Sequence, residues 1–321
     1  MQTRSTVHAT EAFHQSGEII ALPRTRTERA LSDFQDRLGG FEIVASLARG
    51  GMGGVYLATD RSSGERVALK LLDRRYSECE EIVARMFAEH TISKLVSHPG
   101  LVEVLAADRT TDGRPYLVIE FLDGENLGEL AERGRMELGA IVAIGAQVAA
   151  AVAAMHDAGI IHCDIKPDNV FVLYEEGLAG WPRIKVIDYG VSRFANEVSV
   201  DDDATIAGTP ACMAPEQWTG APTLKSDVYS LGCTLFELIT GDSLFSGPLP
   251  QLMLAHCKQH PPRPSWLRSG IPGGLERLVM RMLSKDPGMR PTMREVGRSL
   301  AELAEALPAS DAPAETLLAT G

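Results

Sequence analysis

The sequence lacks the cysteine patterns that mark disulfide-rich and zinc-binding domains. Its cysteines are odd in number and none forms a C-x-x-C pair; they are Cys79, Cys163, Cys212, Cys233 and Cys257. Such a set excludes a disulfide framework and a zinc ribbon. We therefore expect reduced thiols and a cytoplasmic protein.

Positive charge is also scarce. The chain has 31 Lys and Arg residues against 43 Asp and Glu residues, a net charge of −12. An acidic chain lacks the broad positive field that nonspecific nucleic-acid binding uses, and it argues against an anionic membrane surface as partner. No apolar segment follows the first residues, Met1 to Thr6, so we expect no signal peptide.

Charged residues are absent from one long stretch, 138–155, whose length is close to that of a membrane span. The stretch is mostly Ala and Gly, with Gln147 near its middle. Because Ala contributes little to membrane insertion, this composition favours a helix buried in a protein core. We therefore predict no membrane span.

What is present is a chain of 321 residues, 45% of them hydrophobic, which is enough for two domains or one two-lobed domain. Residues 1–39 lack sustained periodicity and indicate a flexible extension, and 307–321 indicate a loose tail. The pattern between them predicts an α+β fold: a small β-rich lobe with one main helix, about 40–122, and a larger, mainly helical lobe, about 123–306, with a ligand cleft at their junction. The predicted strands are 41–44, 55–58, 66–72, 101–106 and 115–122, with a hairpin at 170–174 and 184–187, and the predicted helices are 78–96, 126–133, 138–157, 225–240, 248–259, 273–283 and 293–306.

A glycine-rich turn lies between the first two predicted strands, in the segment ARGGMGGVY from Ala48 to Tyr56. Glycines let backbone N–H groups approach phosphates without side-chain interference, although a plain flexible turn has the same composition. Lys70 follows in the strand Val-Ala-Leu-Lys, and a lysine inside an apolar strand is costly unless it is paired. We predict Glu89, on the next helix, as its partner; a lysine at the sheet edge is the alternative.

A second group of reactive residue types lies after the Ala-rich helix, in the segment HCDIKPDN, which ends at Asn169. The carboxylate of Asp164 can orient a hydroxyl and accept its proton, and Lys166 can neutralise phosphate charge. Asn169 can bind Mg²⁺ beside a carboxylate, and Asp188, where an apolar strand ends in Asp-Tyr-Gly, is suited to hold a metal. Each could be an ordinary polar loop, but chance does not explain all of them in this order and spacing.

From about Phe41 to Leu303 the sequence resembles the protein kinases of the Ser/Thr type, and most of all the bacterial eukaryotic-type (Hanks-type) kinases. Lys70 and Glu89 resemble the strand lysine and the helix glutamate of that family. The other motifs that carry the resemblance are His162–Asn169 for the catalytic loop, Asp188–Gly190 for the metal-binding triplet, Gly208–Glu216 for the substrate-facing loop, Ser226–Gly232 for the helix that anchors the catalytic loop, and Arg290 for the arginine that pairs with Glu216.

The resemblance implies a protein-kinase-like bilobal fold and an ATP- and Mg²⁺-dependent transfer of the γ-phosphoryl group to a Ser or Thr hydroxyl of a protein, in bacterial signalling. It implies that Asp164 orients the hydroxyl and that Lys166 neutralises the transferring phosphoryl group. It further implies that Lys70, held by Glu89, binds the α- and β-phosphates.

The same resemblance implies residues for the metal and the nucleotide. Asn169 and Asp188 would hold Mg²⁺, with Mn²⁺ as an alternative. The phosphates would lie under the turn that contains Ala48, Gly50, Gly51 and Gly53. The adenine would lie between Leu47, Val55, Ala68 and Phe171 and would hydrogen-bond the backbone of Glu120 and Leu122, with Ile119 guarding the back pocket. For the apolar members of this set an ordinary core position is the alternative.

Two residues of the sequence indicate a preference for Ser or Thr as the acceptor. Lys166, two residues after Asp164, and Thr209, before a proline, resemble the Ser/Thr pattern. Glu125 and Asp168 would line the substrate side and read a basic residue before the acceptor. The alternative is that both are solvated loop carboxylates, which exposed acids usually are.

Three positions depart from the family. Ala48 replaces the first glycine of the turn, with a modest effect expected on ATP affinity, and Tyr189 replaces a phenylalanine and adds a hydroxyl that needs a partner. Cys163 stands where most kinases have an arginine that grips a phosphate on the activation loop. We therefore expect activity that depends less on phosphorylation of that loop, whose candidate sites are Ser199 and Thr205. A redox role for Cys163 together with Cys212 is the less favoured alternative to inert, buried thiols.

Two other function classes compete with an active Ser/Thr kinase. A pseudokinase scaffold would share the fold, but the intact set of catalytic and metal residues argues against it, and only Ala48 and Cys163 favour it. A small-molecule kinase of the aminoglycoside type would lack the segment Gly208–Glu216. The expected partners are ATP and protein substrates, with a homodimer or an upstream regulator as further options and no nucleic acid. The sequence names neither the substrate nor the activating signal.

Overall fold

The computed structural model describes residues 37–173, 181–195 and 208–307. Ser199 and Thr205, and nearly all of the predicted extension and tail, lie outside the described residues. Of the described residues, 37–97 and 102–125 form one compact unit, and 98–101 and 126–307 form a second.

The first unit is built on a six-stranded antiparallel sheet. Its strands are β1 (Arg37–Leu38), β2 (Phe41–Gly50), β3 (Gly53–Asp60), β4 (Arg66–Leu72), β5 (Val104–Arg109) and β6 (Pro115–Glu120). They lie in the order β1-β2-β3-β4-β6-β5. Helix α1 spans Glu80–Leu95, after a 3₁₀ turn at Arg74–Tyr76.

Alternation along the strands gives this sheet one fully buried face. In β4 the side chains of Val67, Leu69 and Leu71 are buried, whereas Ala68 and Lys70 between them are half-buried. Successive residues of a strand point to opposite faces, so the two sets lie on opposite sides of the sheet. The buried core cluster of this unit consists of Leu38, Ile43, Tyr56, Ala58, Val67, Leu69, Leu71, Tyr116 and Val118.

The second unit is mainly helical. Its helices are α2 (Leu127–Glu132), α3 (Leu138–Asp157), α4 (Leu224–Thr240), α5 (Leu249–Lys258), α6 (Gly273–Met282) and α7 (Met293–Ala306), and its short strands are β8 (Ile160–Ile161), β9 (Val170–Leu173), β10 (Ile184–Val186) and β11 (Arg193–Phe194). A further short strand, β7 (Gly124–Asn126), lies where the chain passes from the first unit to the second.

Helix α3 contains the Ala-rich stretch without charge, 138–155. By length and composition it could cross a membrane, and 72% of its most hydrophobic window is buried inside the protein. Small residues let its neighbours approach closely: a Cβ added at Gly145 would lie 2.9 Å from a methyl group of Leu235, and one added at Gly297 of α7 would lie 3.4 Å from the Cβ of Ala149. The Ala and Gly content is therefore explained by close helix packing around α3.

The predicted elements are present with shifts of one or two residues at most helix ends. The strand predicted at 41–44 continues to Gly50, and another strand is displaced. The strand predicted at 101–106 lies instead at Val104–Arg109, and Leu101 forms an isolated bridge with Val186 of the second unit. The reason is that β5 is an edge strand with mostly exposed side chains, so it carries no apolar alternation that the sequence could show. The two-residue strands β1, β8 and β11 are too short to produce a pattern.

Candidate functional site

In the first unit the glycine-rich turn joins β2 and β3, with Gly50 opposite Gly53. The turn is tied to the segment after β4, because the amide of Asp73 donates to the carbonyl oxygen of Met52 at 2.7 Å. A Cβ added at Gly53 would lie 2.1 Å from the carbonyl oxygen of Leu71, so a side chain does not fit there. Gly53 is thus required by a close approach of two backbones.

The strand register brings several predicted nucleotide residues to one face of the sheet. Val55 of β3 lies opposite both Ala48 of β2 and Lys70 of β4, and Ala68 of β4 lies opposite Ile119 of β6. These positions alternate with the buried core cluster and therefore lie on the other face. Ala48 is buried, and the other four residues are half-buried. Their partial exposure distinguishes these four from core positions, which no ligand can reach.

Lys70 and Glu89 form an ion pair, as the sequence predicts. The ammonium of Lys70 donates to the two carboxylate oxygens of Glu89 at 2.8 and 3.1 Å. The Glu89 side chain is 5% exposed and that of Lys70 is 31% exposed. Since β4 lies between β3 and β6, the alternative of a lysine at the sheet edge is wrong. The pair presents one fixed but accessible ammonium group on the half-buried face.

The backbone amide of Glu120, which is predicted to contact adenine, is already used within the sheet. It donates to the carbonyl oxygen of Glu103 at 3.0 Å. Leu122, two residues on, is half-buried. Phe171, the predicted adenine contact in the second unit, lies in β9 and is 4% exposed.

In the second unit the catalytic-loop segment is anchored by a buried carboxylate of α4. Asp227 is fully buried, and its two oxygens accept the amides of His162 and Cys163 at 2.9 and 2.8 Å. The ring Nε2 of His156, at the end of α3, lies 2.8 Å from the same carboxylate. This agrees with the predicted anchoring role of the helix that contains Asp227.

Asp164 is held at both of its carboxylate oxygens. Oδ1 accepts the amide and the hydroxyl of Thr209, both at 2.7 Å. Oδ2 accepts Nδ2 of Asn169 at 3.0 Å and lies 3.4 Å from the ammonium of Lys166. These contacts fix the orientation of a carboxylate that is 9% exposed. A group fixed in this way loses little freedom when it receives a substrate hydroxyl.

Lys166 is buried among carboxylates. Burial opposes its charge, but the carboxylates of Asp164, Asp168 and Asp188 outweigh that effect, and the pKa of its ammonium is raised. Its side chain is 6% exposed. Lys166 is therefore a permanent positive charge beside Asp164, suited to an anionic group.

The two predicted metal residues stand at the same end of the β9–β10 hairpin. The amide of Ile187, which precedes Asp188, donates to the carbonyl oxygen of Asn169 at 2.9 Å. Asp188 has a positive φ of 66° and its Oδ1 accepts the amide of Gly190 at 3.2 Å. Nδ2 of Asn169 is used by Asp164, so its Oδ1 is the atom that could bind a cation.

This donor set fits a magnesium ion that is completed by a ligand. Among residues 37–173, 181–195 and 208–307 no group of three or more His, Cys, Asp or Glu side chains could hold a metal by itself. One carboxylate and one amide oxygen are hard ligands, and Mg²⁺ is usually held by few protein oxygens together with phosphates and water. The pair of Asn169 and Asp188 therefore suits Mg²⁺ that arrives with a phosphate ligand.

Cys163 is buried and has a strained backbone. It is 3% exposed, its φ is 68°, and its thiol donates weakly to the carbonyl oxygen of Ile161 at 3.8 Å. Burial, followed by the charge of Asp227, raises the pKa of its thiol, and burial does the same at Cys212. Neither thiol is an exposed thiolate, which argues against the redox alternative. All five cysteines lie in the described part of the chain and are free.

The predicted pairing of Glu216 with Arg290 is also present. The guanidinium donates to both carboxylate oxygens at 2.7 and 3.0 Å, and it is 2% exposed. The hydroxyl of Ser226 donates to Glu216 at 2.6 Å, and Arg290 stacks 4.9 Å from the ring centre of Tyr229. This network joins the segment after Gly208 to α4 and to the turn before α7.

Three other expectations concern single side chains. Tyr189 is 2% exposed, and its ring meets that of His162 edge-on with centres 6.1 Å apart. Glu125 is 1% exposed, so the alternative of a solvated carboxylate is wrong for it, whereas Asp168 is exposed as that alternative expects. Sequence reasoning misses His156 and Gln217. His156 lies near the end of an apolar helix. Gln217 lies in a short turn, where a polar residue normally indicates exposure to solvent.

Comparison with known proteins agrees with these observations. A family model described as a protein kinase domain matches residues 41–299. The chain is similar to the serine/threonine-protein kinase Pkn1 of Myxococcus xanthus, with 38% identity over 254 residues, or 78% of this chain and 36% of that protein. It is 31% identical to PknD of Mycobacterium tuberculosis over 81% of this chain and 39% of that protein.

A third relative is covered more fully. The serine/threonine-protein kinase PknL of Mycobacterium tuberculosis is 34% identical over 304 residues, which is 92% of this chain and 73% of that protein. For Pkn1 and the other Myxococcus xanthus kinase pkn2, by contrast, the chain spans about a third of their length, 36% and 32%.

Proposed function

Because this chain belongs to the protein kinase family, we propose that it transfers the γ-phosphoryl group of ATP to Ser or Thr hydroxyls of protein substrates. The family and its bacterial Ser/Thr members support the reaction class. The contacts that Asp164 makes with Thr209, Asn169 and Lys166 support activity in this chain. These contacts are the observation on which the proposal mainly depends.

The chemistry follows from the contacts of Asp164. A substrate hydroxyl donates to its carboxylate, and the hydroxyl oxygen forms a bond to the γ-phosphorus while the bond from that phosphorus to the β-γ bridging oxygen breaks. ADP leaves, and the hydroxyl proton passes to Asp164. Lys166, 3.4 Å from Asp164, would neutralise charge on the transferred group, and Thr209 would hold the carboxylate in place.

Lys70 and Glu89 would bind the donor. An ammonium held by a carboxylate can contact the α- and β-phosphates without rotating away, and the turn around Gly50, Gly51 and Gly53 would cover the phosphates. Asn169 and Asp188 would hold Mg²⁺, which neutralises phosphate charge when bound. Mn²⁺ offers the same octahedral oxygen chemistry.

The remaining assignments are proposals of the same kind. We place the catalytic domain at 40–306 and the protein in the cytoplasm, where its five free thiols fit a reducing environment. The adenine contacts, a homodimer or an upstream regulator, and a preference for basic residues near the acceptor also stay predictions.

The direct test is phosphoryl transfer from radiolabelled Mg-ATP to a basic, Ser/Thr-rich test protein. The wild-type chain should label the protein on Ser and Thr, and Asp164→Asn should lower the rate by about 1,000-fold or more, since the substitution removes the proton acceptor. Asp157→Asn is the matched control, because that carboxylate is 63% exposed and pairs with Arg294 on the surface.

The outcomes separate the kinase from a scaffold with the same fold. Transfer by the wild-type chain and by Asp157→Asn, but not by Asp164→Asn, supports the proposal. A wild-type chain that binds Mg-ATP without any transfer supports a pseudokinase, and labelling that survives Asp164→Asn assigns the activity to a contaminant or to another residue.

A further inference from the structure

A buried glutamine links the segment after the activation loop to the catalytic loop. Gln217 lies in the 3₁₀ turn Pro215–Thr219 and is 2% exposed. Its Nε2 donates to the carbonyl oxygen of Cys163 at 2.8 Å, and its Oε1 accepts the amide of Ala214 at 2.9 Å. One side chain thus joins the backbones of two separate segments.

The carbonyl group that Gln217 binds belongs to the peptide group between Cys163 and Asp164. Cys163 has a positive φ of 68°, a conformation that a residue with a side chain rarely adopts and that the surroundings must hold. Its amide is held from one side by Asp227 at 2.8 Å, and its carbonyl oxygen is held from the other side by Gln217. Together the two contacts fix the backbone rotation that sets where the carboxylate of Asp164 points.

Gly208 supports this contact by its lack of a side chain. A Cβ there would lie 2.8 Å from the carbonyl oxygen of Cys163 and 3.2 Å from Nε2 of Gln217, so it would press against both partners of the hydrogen bond. The backbone at Gly208, with φ of 125°, also favours glycine. Gly208 and Gln217 therefore approach the same carbonyl group from one segment.

We infer that Gln217 is a positioning residue for phosphoryl transfer, which holds the strained peptide before Asp164 so that the carboxylate is oriented without help from a charged side chain at position 163. The inference rests on the proposed function and extends it. Thr209 fixes the Asp164 carboxylate itself, and Gln217 fixes the backbone from which that carboxylate projects. Two neutral contacts from one segment thus hold the catalytic loop.

The test compares two substitutions. Gln217→Glu has nearly the same shape and keeps an acceptor for Ala214, but its carboxylate cannot donate to Cys163 and repels the carbonyl oxygen. Gln217→Met removes both polar groups. We expect kcat to fall at least about tenfold at pH 8 in both variants, with the KM for ATP changed less than twofold, because the lysine and metal residues are untouched.

A pH profile separates positioning from a general loss of structure. A buried carboxyl group that faces a carbonyl oxygen has a raised pKa, and its protonated form can donate. The deficit of Gln217→Glu should therefore shrink at least about threefold between pH 8 and pH 6, whereas that of Gln217→Met should not change. Gln147→Glu is the matched control: this glutamine also donates to a backbone carbonyl, that of Pro182 at 2.8 Å, and should show neither effect.

Hydrogen exchange gives a readout that does not need activity. Backbone amides at 162–166 should exchange at least about fivefold faster in folded Gln217→Met than in the wild-type chain or Gln147→Glu. If the wild-type chain does not transfer phosphate, the proposed function fails and this exchange difference still tests the contact. Unchanged exchange at 162–166 overturns the inference, as do kcat values within twofold of wild type or a parallel change in the KM for ATP.

Discussion

The two units hold their charged functional residues in different ways. In the first unit Lys70 forms an ion pair with Glu89, and about a third of its side chain is exposed. In the second unit Asp164 and the peptide groups before it are held by five hydrogen bonds, three of them buried and two part-buried. The difference indicates that the lysine can reorient toward solvent more readily than the catalytic carboxylate can.

Breaking the anchor of the catalytic loop should have the largest effect. In Asp227→Asn the new amide places a donor against the amides of His162 and Cys163, so at least one of them loses its acceptor in the core. We expect kcat to fall about 100-fold or more and the free energy of unfolding to fall by about 3 kcal/mol. Steady-state kinetics and urea unfolding measure the two effects, and a change below twofold in kcat would contradict a fixed loop.

Acidification tests whether another buried polar group of the second unit, His256, also contributes to its stability. Burial, with nearby Lys285 as a second cause, lowers the pKa of His256 to about 4. Its ring is fully buried, with Nδ1 3.0 Å from the hydroxyl oxygen of Tyr229. Because the unfolded chain takes up this proton near pH 6.5 and the folded chain does not, the stability that His256 contributes is present above that pH. It is lost as the pH falls toward 4.

The full effect of a shift of this extent is about 3 kcal/mol, of which about 2 kcal/mol is lost by pH 5. Urea unfolding of the wild-type chain and of His256→Asn, at pH 7.5, 6 and 5, measures it. The wild-type chain should lose more stability between pH 7.5 and pH 5 than the variant, which has no imidazole to protonate. Equal losses in the two chains would show that His256 does not carry the effect.

Breaking the ion pair of Lys70 and Glu89 in the first unit should matter less for stability than for nucleotide use. Glu89→Gln removes the charge that holds Lys70, and we expect kcat/KM for ATP to fall about tenfold. Since Lys70 can turn to water, the free energy of unfolding should change by less than about 1 kcal/mol. Glu81→Gln, on the same helix and paired with Arg85 at the surface, is the control. If Glu89→Gln lost as much stability as Asp227→Asn, the two units would not differ in how firmly they hold their charged residues.

The smallest effect is expected in the activation loop. Ser199→Ala combined with Thr205→Ala should change kcat less than about threefold, because the buried thiol of Cys163 offers no positive charge to a loop phosphate. Mass spectrometry of the wild-type chain shows whether these residues carry phosphate at all. A collapse of kcat in the double variant would show that loop phosphorylation is needed despite Cys163.

Most of the fold and the pairing of its charged residues could be predicted from the sequence. The strand around Lys70, the Ala-rich helix and the pair Lys70–Glu89 carry local patterns that a single sequence shows, and the pair Glu216–Arg290 is implied by the resemblance to the protein kinase family. The edge strand Val104–Arg109 could not be placed, because exposed side chains give no apolar alternation.

The contacts that orient the catalytic loop could not be predicted. Gln217 and His156 act through backbone and carboxylate groups that lie 54 and 71 residues away in the chain. Neither residue type signals such a contact, and the positive φ of Cys163 is imposed by its surroundings rather than by its side chain. These features depend on tertiary structure alone. A charged residue inside an apolar strand, by contrast, can be recognised from its neighbours in the sequence.

Separating nucleotide binding from phosphoryl transfer tests the central claim most directly. Titration calorimetry with Mg-ATP and a transfer assay are run on the wild-type chain and on Asp164→Asn. We predict that both chains bind Mg-ATP with affinities within about threefold, because Lys70, Asn169 and Asp188 are unchanged, and that only the wild-type chain transfers phosphate to Ser or Thr. Binding without transfer in both chains, or equal transfer by both, would contradict the account.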